Sequence, residues 1–226
     1  MRFVVTGANR GIGLEFVRQL TARGEDVDAT ARDPEQAQEL QALSRPGGRL
    51  RVYRLDVADD ASVAAFAEQL APGPVDVLIN NAGVSGIKGG EAIDPPDILR
   101  VFNVNAAGTL RVVRALLPRL RAGKGRKIVN VTSHLGSIAD ATGGRFAYRL
   151  SKSALNMATR VLAEDLRGEG FRTVALHPGW VQTRMGGSGA PVTPEQSVRG
   201  MLRIVDGLTA EQSGKVFEFQ GRQLPW

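Results

Sequence analysis

The chain has 226 residues, 42% hydrophobic and 23% charged, which is long enough to bury one sizeable core and too apolar to remain disordered. It has no cysteine and two histidines, which excludes a disulfide framework and thiolate chemistry and argues against a structural zinc site, so no metal is expected. The net charge of +6 is scattered over the chain, and its densest group (Arg119, Arg121, Lys124, Arg126, Lys127) falls at a helix end, where cations complement the dipole, so no nucleic-acid partner is expected.

The N-terminus enters a structural pattern at once. Residues 2–6 read as a short buried strand, followed by the turn Gly7-Ala8-Asn9-Arg10-Gly11-Ile12-Gly13 and by helical spacing of Ile12, Phe16, Val17 and Leu20 up to Gly24. This leaves no room for a signal peptide, and no apolar run reaches the length of a membrane span, so a cytoplasmic protein without a membrane partner is expected. Strand, glycine turn, helix is the context in which glycines let a backbone approach a pyrophosphate on a helix N-terminus; the alternative is a plain turn.

The spacing G-x-x-x-G-x-G, with Thr6 in front, resembles the short-chain dehydrogenase/reductase family. The resemblance makes Gly7, Asn9, Arg10, Gly11, Ile12 and Gly13 candidate cofactor contacts. The next strand, Asp26 to Asp33, ends where a dinucleotide's adenosine ribose lies. An acid there would accept the 2′-hydroxyl of NAD, whereas an arginine would bind the 2′-phosphate of NADP. Arg32 stands where NAD-preferring relatives carry the acid, and Arg10 is a second cation in reach. Two cations favour NADP(H) over NAD(H), although both can be surface arginines and Asp33 is adjacent.

A polar helix over about 34–44 and a Pro46-Gly47-Gly48 turn lead to the strand Leu50–Leu55, with alternating apolar and basic residues. Asp56 and Val57 follow and, by resemblance, contact the adenine. A helix over about 59–70 precedes the apolar run Val75–Ile79, suited to a central parallel strand. It ends in Asn80-Asn81-Ala82-Gly83, which matches a family motif. There polar amides brace a neighbouring strand or touch the cofactor ribose, and Asn80, Ala82 and Gly83 are candidate contacts.

Residues 98–121 read as one long amphipathic helix or a pair. Asn105 and Gly108 match the family's Asn-x-x-Gly. The resemblance implies that the region of Asn105 holds a water linking Lys152 to solvent; Asn103 is the competing candidate. The strand 127–133 ends at Ser133, where open α/β sheets place ligands and a hydroxyl can stabilise charge on a substrate oxygen; Thr132 is its rival.

Tyr148 and Lys152, four apart on a helix over 146–167, share one face. An ammonium beside a phenol would lower the phenol's pKa towards neutrality and allow proton exchange with a carbonyl or alcohol oxygen; the alternative is a surface pair. Ser133 and Tyr148 stand further apart than in most of the family because of the loop Gly136–Gly144. That loop and the phrase Ala147–Asn156 resemble a narrower branch, the C-factor-like and sniffer-type carbonyl reductases.

After a strand over 171–176, His177-Pro178-Gly179-Trp180-Val181-Gln182-Thr183 resembles the family's Pro-Gly-x-x-x-Thr. This implies nicotinamide contacts from Pro178, Gly179, Trp180, Val181 and Thr183, with His177 structural and His134 at most bordering the substrate. The short, glycine-rich 184–194 region predicts a wide, mobile entrance and loose selectivity. A helix over about 194–206, a strand Lys215–Phe219 and a tail ending in Trp226 complete the chain; Trp226 either packs on its own domain or makes a subunit contact.

The expected fold is one doubly wound, Rossmann-type α/β domain over 1–226, with a mainly parallel sheet of about seven strands, a cofactor half (about 1–95) and a catalytic half (about 96–226). The resemblance implies an oxidoreductase for a small-molecule carbonyl or alcohol substrate, with Asn105, Ser133, Tyr148 and Lys152 catalytic, working as a homodimer or homotetramer. The alternative is a dinucleotide-binding signalling or interaction protein with little turnover.

Overall fold

The computed structural model describes residues 1–45, 47–87 and 93–226, so Pro46 of the expected turn lies outside the described residues. Eight strands form one sheet in the order β3-β2-β1-β4-β5-β6-β7-β8. They are β1 (Arg2–Val5), β2 (Asp26–Ala31), β3 (Leu50–Arg54), β4 (Val77–Asn80), β5 (Lys127–Val131), β6 (Arg172–His177), β7 (Val216–Glu218) and β8 (Gln223–Leu224). All pairings are parallel except β7 with β8. The order reverses between β1 and β4, which opens a crevice at the strands' C-terminal ends.

Alternation along the strands builds two cores. Phe3, Val5, Ile79, Val129 and Leu176 face one side and pack against Phe16 and Leu20 of α1 (Gly11–Ala22) and Met201 and Leu202 of α7 (Pro194–Asp206). Val4, Leu78 and Ile128 face the other, against Phe66 of α3 (Asp60–Gln69) and Val112, Leu116 and Leu120 of α5 (Gly108–Ala122). Buried on both faces, β4 and β5 need the continuous apolar runs their sequences supply. Truncating a fully buried phenylalanine such as Phe66 would cost about 3–5 kcal/mol.

The basic residues of β3 have a structural purpose. Arg51 lies directly opposite Asp28 of β2 and its Nε donates to Asp28 Oδ1 at 2.7 Å, while Arg2 Nε of β1 donates to Oδ2 at 2.6 Å. The Asp28 carboxylate, fully shielded from solvent, thus ties three neighbouring strands.

Two expectations, the helices over 34–44 and 146–167, are corrected, and two, the helix or pair over 98–121 and the sheet of about seven strands, hold with added detail. The helix over 34–44 is a 3₁₀ turn, Pro34–Gln36, and a short α2 (Gln38–Leu43), separated at Ala37 with φ −86° and ψ 59°. The 98–121 segment is α4 (Pro95–Phe102), a π-helical turn (Asn103–Ala107) and α5. The sheet has eight strands because the tail contributes β8, too short to leave a periodic signal. Finally, α6 (Phe146–Asp165) stops two residues before the expected end and passes into a 3₁₀ turn over Arg167–Glu169. Among the described residues no helix is long and apolar enough to cross a membrane.

Candidate active site

Glycine is required at the first turn by contact. Gly7 has φ +65°, and a Cβ there would lie 2.8 Å from Ala82 Cα; one on Gly13 would lie 2.3 Å from the Gly7 carbonyl oxygen. The turn is braced from β4: Asn81 Nδ2 donates to the carbonyls of Thr6 and Gly7, both at 3.0 Å, and Thr6 Oγ1 accepts from the amides of Asn81 and Ala82 at 3.0 and 3.1 Å. Arg10 then enters α1 in extended conformation, with no side-chain cap and no acid in the first turn. The first amides of α1 and its positive dipole end are therefore left for an anion. The glycine cradle and uncapped helix fit the pyrophosphate of a dinucleotide.

Arg32 and Asp56 line one cavity of about 530 Å³ with Asp33, Arg54, Asp59 and Ser62, at the ends of β2 and β3 where adenosine was expected. Asp56 Oδ1 accepts from the Ala58 amide at 2.9 Å, which fixes the carboxylate at the rim. Asp33, the competing acid, is 3.8 Å from Arg54. Val57 is buried, and its carbonyl lies 2.8 Å from where a Cβ of Gly108 would be, so the glycine of Asn-x-x-Gly lets α5 close on this loop. Asn80 is turned into the sheet: its Nδ2 donates to Asn130 Oδ1 at 2.9 Å, and Asn130 Nδ2 donates to Thr159 Oγ1 of α6 at 2.9 Å. Its own Oδ1 is buried without a partner among the described residues.

On the catalytic side, the π turn re-aims two asparagines in different directions. Asn105, fully buried, accepts from the Val84 amide at 2.8 Å and donates to the Val84 carbonyl and to Ser151 Oγ, both at 2.9 Å. Asn103 instead turns to α5 and the loop before α3: its Oδ1 accepts from Arg111 Nη1 of α5 at 2.8 Å and its Nδ2 donates to the Ala58 carbonyl at 3.3 Å. A Cβ on Gly83 would sit 3.2 Å from Asn105 Oδ1 and 3.8 Å from Lys152 Nζ, so the glycine keeps open a gap between those two groups.

Ser133 and Thr132 are separated by their partners. Thr132 Oγ1 donates to Asn156 Oδ1 of α6 at 2.6 Å, a buried bond that occupies its proton. Ser133 Oγ accepts from the Leu135 amide at 3.2 Å, leaving its proton available, and its hydroxyl meets Tyr148. Lys152 Nζ is buried, donates to the Val131 carbonyl at 2.8 Å, and lies 5.7 Å from the Tyr148 ring centre.

The expected lowering of the Tyr148 pKa by Lys152 is not what acts here. Burial pushes the phenol above its ordinary value, against smaller downward pulls from the Ser133 hydrogen bond and from Arg145. Burial also pushes Lys152 down, to about 8. The physical reason is that both groups are desolvated, which favours the neutral form of each, and the ammonium is given to a strand carbonyl rather than to the phenol. The phenol therefore holds its proton at neutral pH, the form needed to protonate a carbonyl oxygen.

Several supporting residues gave no signal in the sequence. Ser151 Oγ links Asn105 to the carbonyl of Tyr148 at 2.8 Å. Arg149, inside the Tyr–Lys motif, straps the Gly136–Gly144 loop: Nη2 donates to Thr142 Oγ1 at 2.6 Å and Nε to the Gly144 carbonyl at 3.1 Å. The far side of the loop is tied to the tail, where the Trp226 carbonyl accepts from the Ala139 amide at 2.8 Å and from Ser137 Oγ at 3.0 Å. Trp226 thus contacts its own domain. His134 Nδ1 and His177 Nε2 are 3.2 Å apart, and burial is the leading cause that lowers both, His177 to about 3. Kept neutral in this way, the two rings share one proton between facing nitrogens.

The segment after β6 is more tied than its composition implied. Val181 forms a bridge with Val192, the Gln182 amide donates to the Val192 carbonyl at 2.9 Å, and Trp180 Nε1 donates to the Gly186 carbonyl at 2.8 Å. The Pro178 carbonyl accepts from Ser197 Oγ at 2.6 Å, and Gly179 has φ +82°, where a Cβ would meet the Phe219 ring at 2.9 Å. Thr183 crosses to the glycine turn, its Cγ2 3.3 Å from where a Cβ of Gly11 would be. Asn9 and Ile12 lie half-buried in that turn, with Ile12 also packing on the core.

Comparison with known proteins agrees with this geometry. The short chain dehydrogenase family model matches residues 2–191. The chain is 56% identical over 164 residues to the C-signal of Myxococcus xanthus, covering 72% of this chain and 99% of that protein. Among solved structures, an NADPH-bound carbonyl reductase from chicken fatty liver superposes with TM-score 0.92 at 37% identity, covering 100% of this chain and 98% of that one. Carbonyl reductase Sniffer of D. melanogaster does so with TM-score 0.94 at 32% identity, covering 100% and 99%. The chain belongs to the short-chain dehydrogenase/reductase family of oxidoreductases.

Proposed function

We propose that the chain is an NADP(H)-dependent carbonyl reductase in which Tyr148 is the proton donor. The observation that carries this reading is the convergence of Ser133, Tyr148 and Lys152 around a phenol that burial keeps protonated. NADPH, when bound, supplies the hydride. The glycine turn and the start of α1 would hold its pyrophosphate, Arg32 with Arg10 its 2′-phosphate, the rim at Asp56 its adenosine, and the 178–183 backbone its nicotinamide end. The NADPH-bound relative, superposing over the full chain, supports that cofactor choice.

Ser133 Oγ donates a hydrogen bond to the carbonyl oxygen and stabilises the charge that develops there. Tyr148 Oη gives its proton to the same oxygen. Lys152 holds the cofactor ribose, its Nζ anchored on the Val131 carbonyl. The gap that Gly83 leaves between Asn105 and Lys152 is polar on both walls, which suits a water that returns the proton from solvent. Alcohol oxidation is the same path in reverse.

A wide entrance with loose substrate selectivity remains part of the proposal, supported by the short 184–194 segment and not by any mobility of it. A homodimer or homotetramer is also proposed, supported by exposed apolar side chains along α4, α5 and α6: Leu99, Leu110, Leu150, Met157 and Val161. The cysteine-free composition suits a reducing cytoplasm. Wild-type protein should oxidise NADPH, and NADH more weakly, against some members of a panel of aldehydes, quinones and diketones. The identity to C-signal favours a second reading, a dinucleotide-sensing signal protein. Tight NADPH binding with no turnover across the panel would select it.

A further inference from the structure

Most arginines of this chain meet a carboxylate: Arg2, Arg18, Arg23, Arg51, Arg111 and Arg121 all do. Three do not. Arg10 in the glycine turn, Arg32 at the end of β2 and Arg184 after β6 come from separate segments, and among the described residues none has a hydrogen-bond or ion-pair partner for its side chain. Arg10 stands within Coulombic reach of the other two, its pKa lowered first by burial, then by Arg184, then by Arg32, with no carboxylate offsetting them. Like charges gathered without counterions oppose folding, and the arrangement is relieved when a polyanion binds among them.

Arg32 and Arg10 already have work in the proposed function, and Arg184 has none. Its position is fixed by its neighbour. Thr183 packs on Gly11 at the first turn of α1, its Oγ1 accepts from the Gly186 amide at 3.1 Å, and its carbonyl accepts from the Gly187 amide at 2.8 Å. Arg184 therefore leaves the chain beside the helix start that cradles the pyrophosphate, whereas Arg32 lines the adenosine cavity with Asp56. We propose that Arg184 is a clamp on the dinucleotide's pyrophosphate, closing over it from the β6–α7 side, while Arg32 serves the 2′-phosphate. This rests on the dinucleotide reading above and adds a binding residue to it.

The test is the dissociation constant of NADPH, NADH and 2′-AMP for wild type, Arg184→Gln, Arg184→Lys and Arg32→Ala, read by nicotinamide fluorescence and competition. Arg184→Gln should weaken NADPH and NADH by the same factor, roughly tenfold, the worth of one charge-assisted hydrogen bond, and leave 2′-AMP unchanged. Arg184→Lys should recover most of the loss, and added salt should narrow the gap between wild type and Arg184→Gln. Arg32→Ala should weaken NADPH and 2′-AMP but not NADH. Unchanged NADPH affinity in Arg184→Gln overturns the clamp, as does a loss confined to NADPH and 2′-AMP. Wild type that binds no dinucleotide instead overturns the reading on which the clamp stands. Arg184 is exposed, so unfolding of the variant is not a competing outcome.

Discussion

Replacing Gly13 by alanine isolates the glycine turn from all the chemistry around it. The new Cβ would meet the Gly7 carbonyl oxygen at 2.3 Å and Asn81 Nδ2 at 2.5 Å, against ordinary contacts beyond 3.4 Å. Backbone must move by about an ångström, an overpacking cost of about 1–3 kcal/mol. The displaced Asn81 amide also loses hydrogen bonds to Thr6 and Gly7, about 1 kcal/mol each. Alanine's better helix propensity returns about 0.5–1 kcal/mol, since Gly13 lies within α1. The net loss is about 2–4 kcal/mol, which lowers Tm by roughly 4–16 °C for a domain of this size. Gly168→Ala, with no atom within 4 Å of the added methyl, should leave Tm within experimental scatter. Differential scanning calorimetry reads both. Equal Tm values for Gly13→Ala and wild type would refute the close packing of the turn against β4.

Arg32→Ala should weaken NADPH at least about tenfold with little effect on NADH, because a single guanidinium–phosphate contact is lost; equal losses would remove the 2′-phosphate assignment. On the proposed reading Lys152 binds cofactor as an ammonium, and burial pushes its pKa in the free protein down to about 8. NADPH affinity should therefore be flat below that pH and fall above it, and Lys152→Ala should bind weakly with no bend. In the same window, from about 8 to the ordinary lysine value of 10.5, the unfolded chain binds the proton that the folded one has released, so stability from this group rises with pH. Ser133→Ala should lose roughly 10²–10³ in kcat with folding intact, whereas Thr132→Val should keep its rate and lose about 1 kcal/mol of stability in urea titration. The reverse pattern would exchange the two roles.

Much of this fold was legible because period and punctuation agree. The apolar runs at β4 and β5, the helical spacing after the glycine turn and the Gly24 stop each point to one element. The π turn at Asn103–Ala107 was not legible, because one extra residue per turn leaves the amphipathic pattern of 98–121 nearly unchanged. The site divides in the same way. Glycines and the Tyr–Lys pair are visible as residue types at fixed spacing, but Ser151 and Asn130 act through partners far away in sequence, which spacing cannot show. The direction of the Tyr148 shift was missed for a related reason. A four-residue spacing places the ammonium one turn away, but only the packed structure shows that Val131 takes it and that burial raises the phenol. Arg184 carries no motif at all; it becomes a candidate only where the fold sets it beside Arg10.

The central claim is that Tyr148 gives up a proton in a site otherwise built to bind cofactor. The decisive measurement is therefore NADPH oxidation, followed at the nicotinamide absorbance with a reactive dicarbonyl, for wild type and Tyr148→Phe alongside NADPH affinity for each. The account predicts turnover by wild type, loss of at least about 10²-fold in the variant, and affinity within a few-fold of wild type. Full turnover by Tyr148→Phe would contradict it.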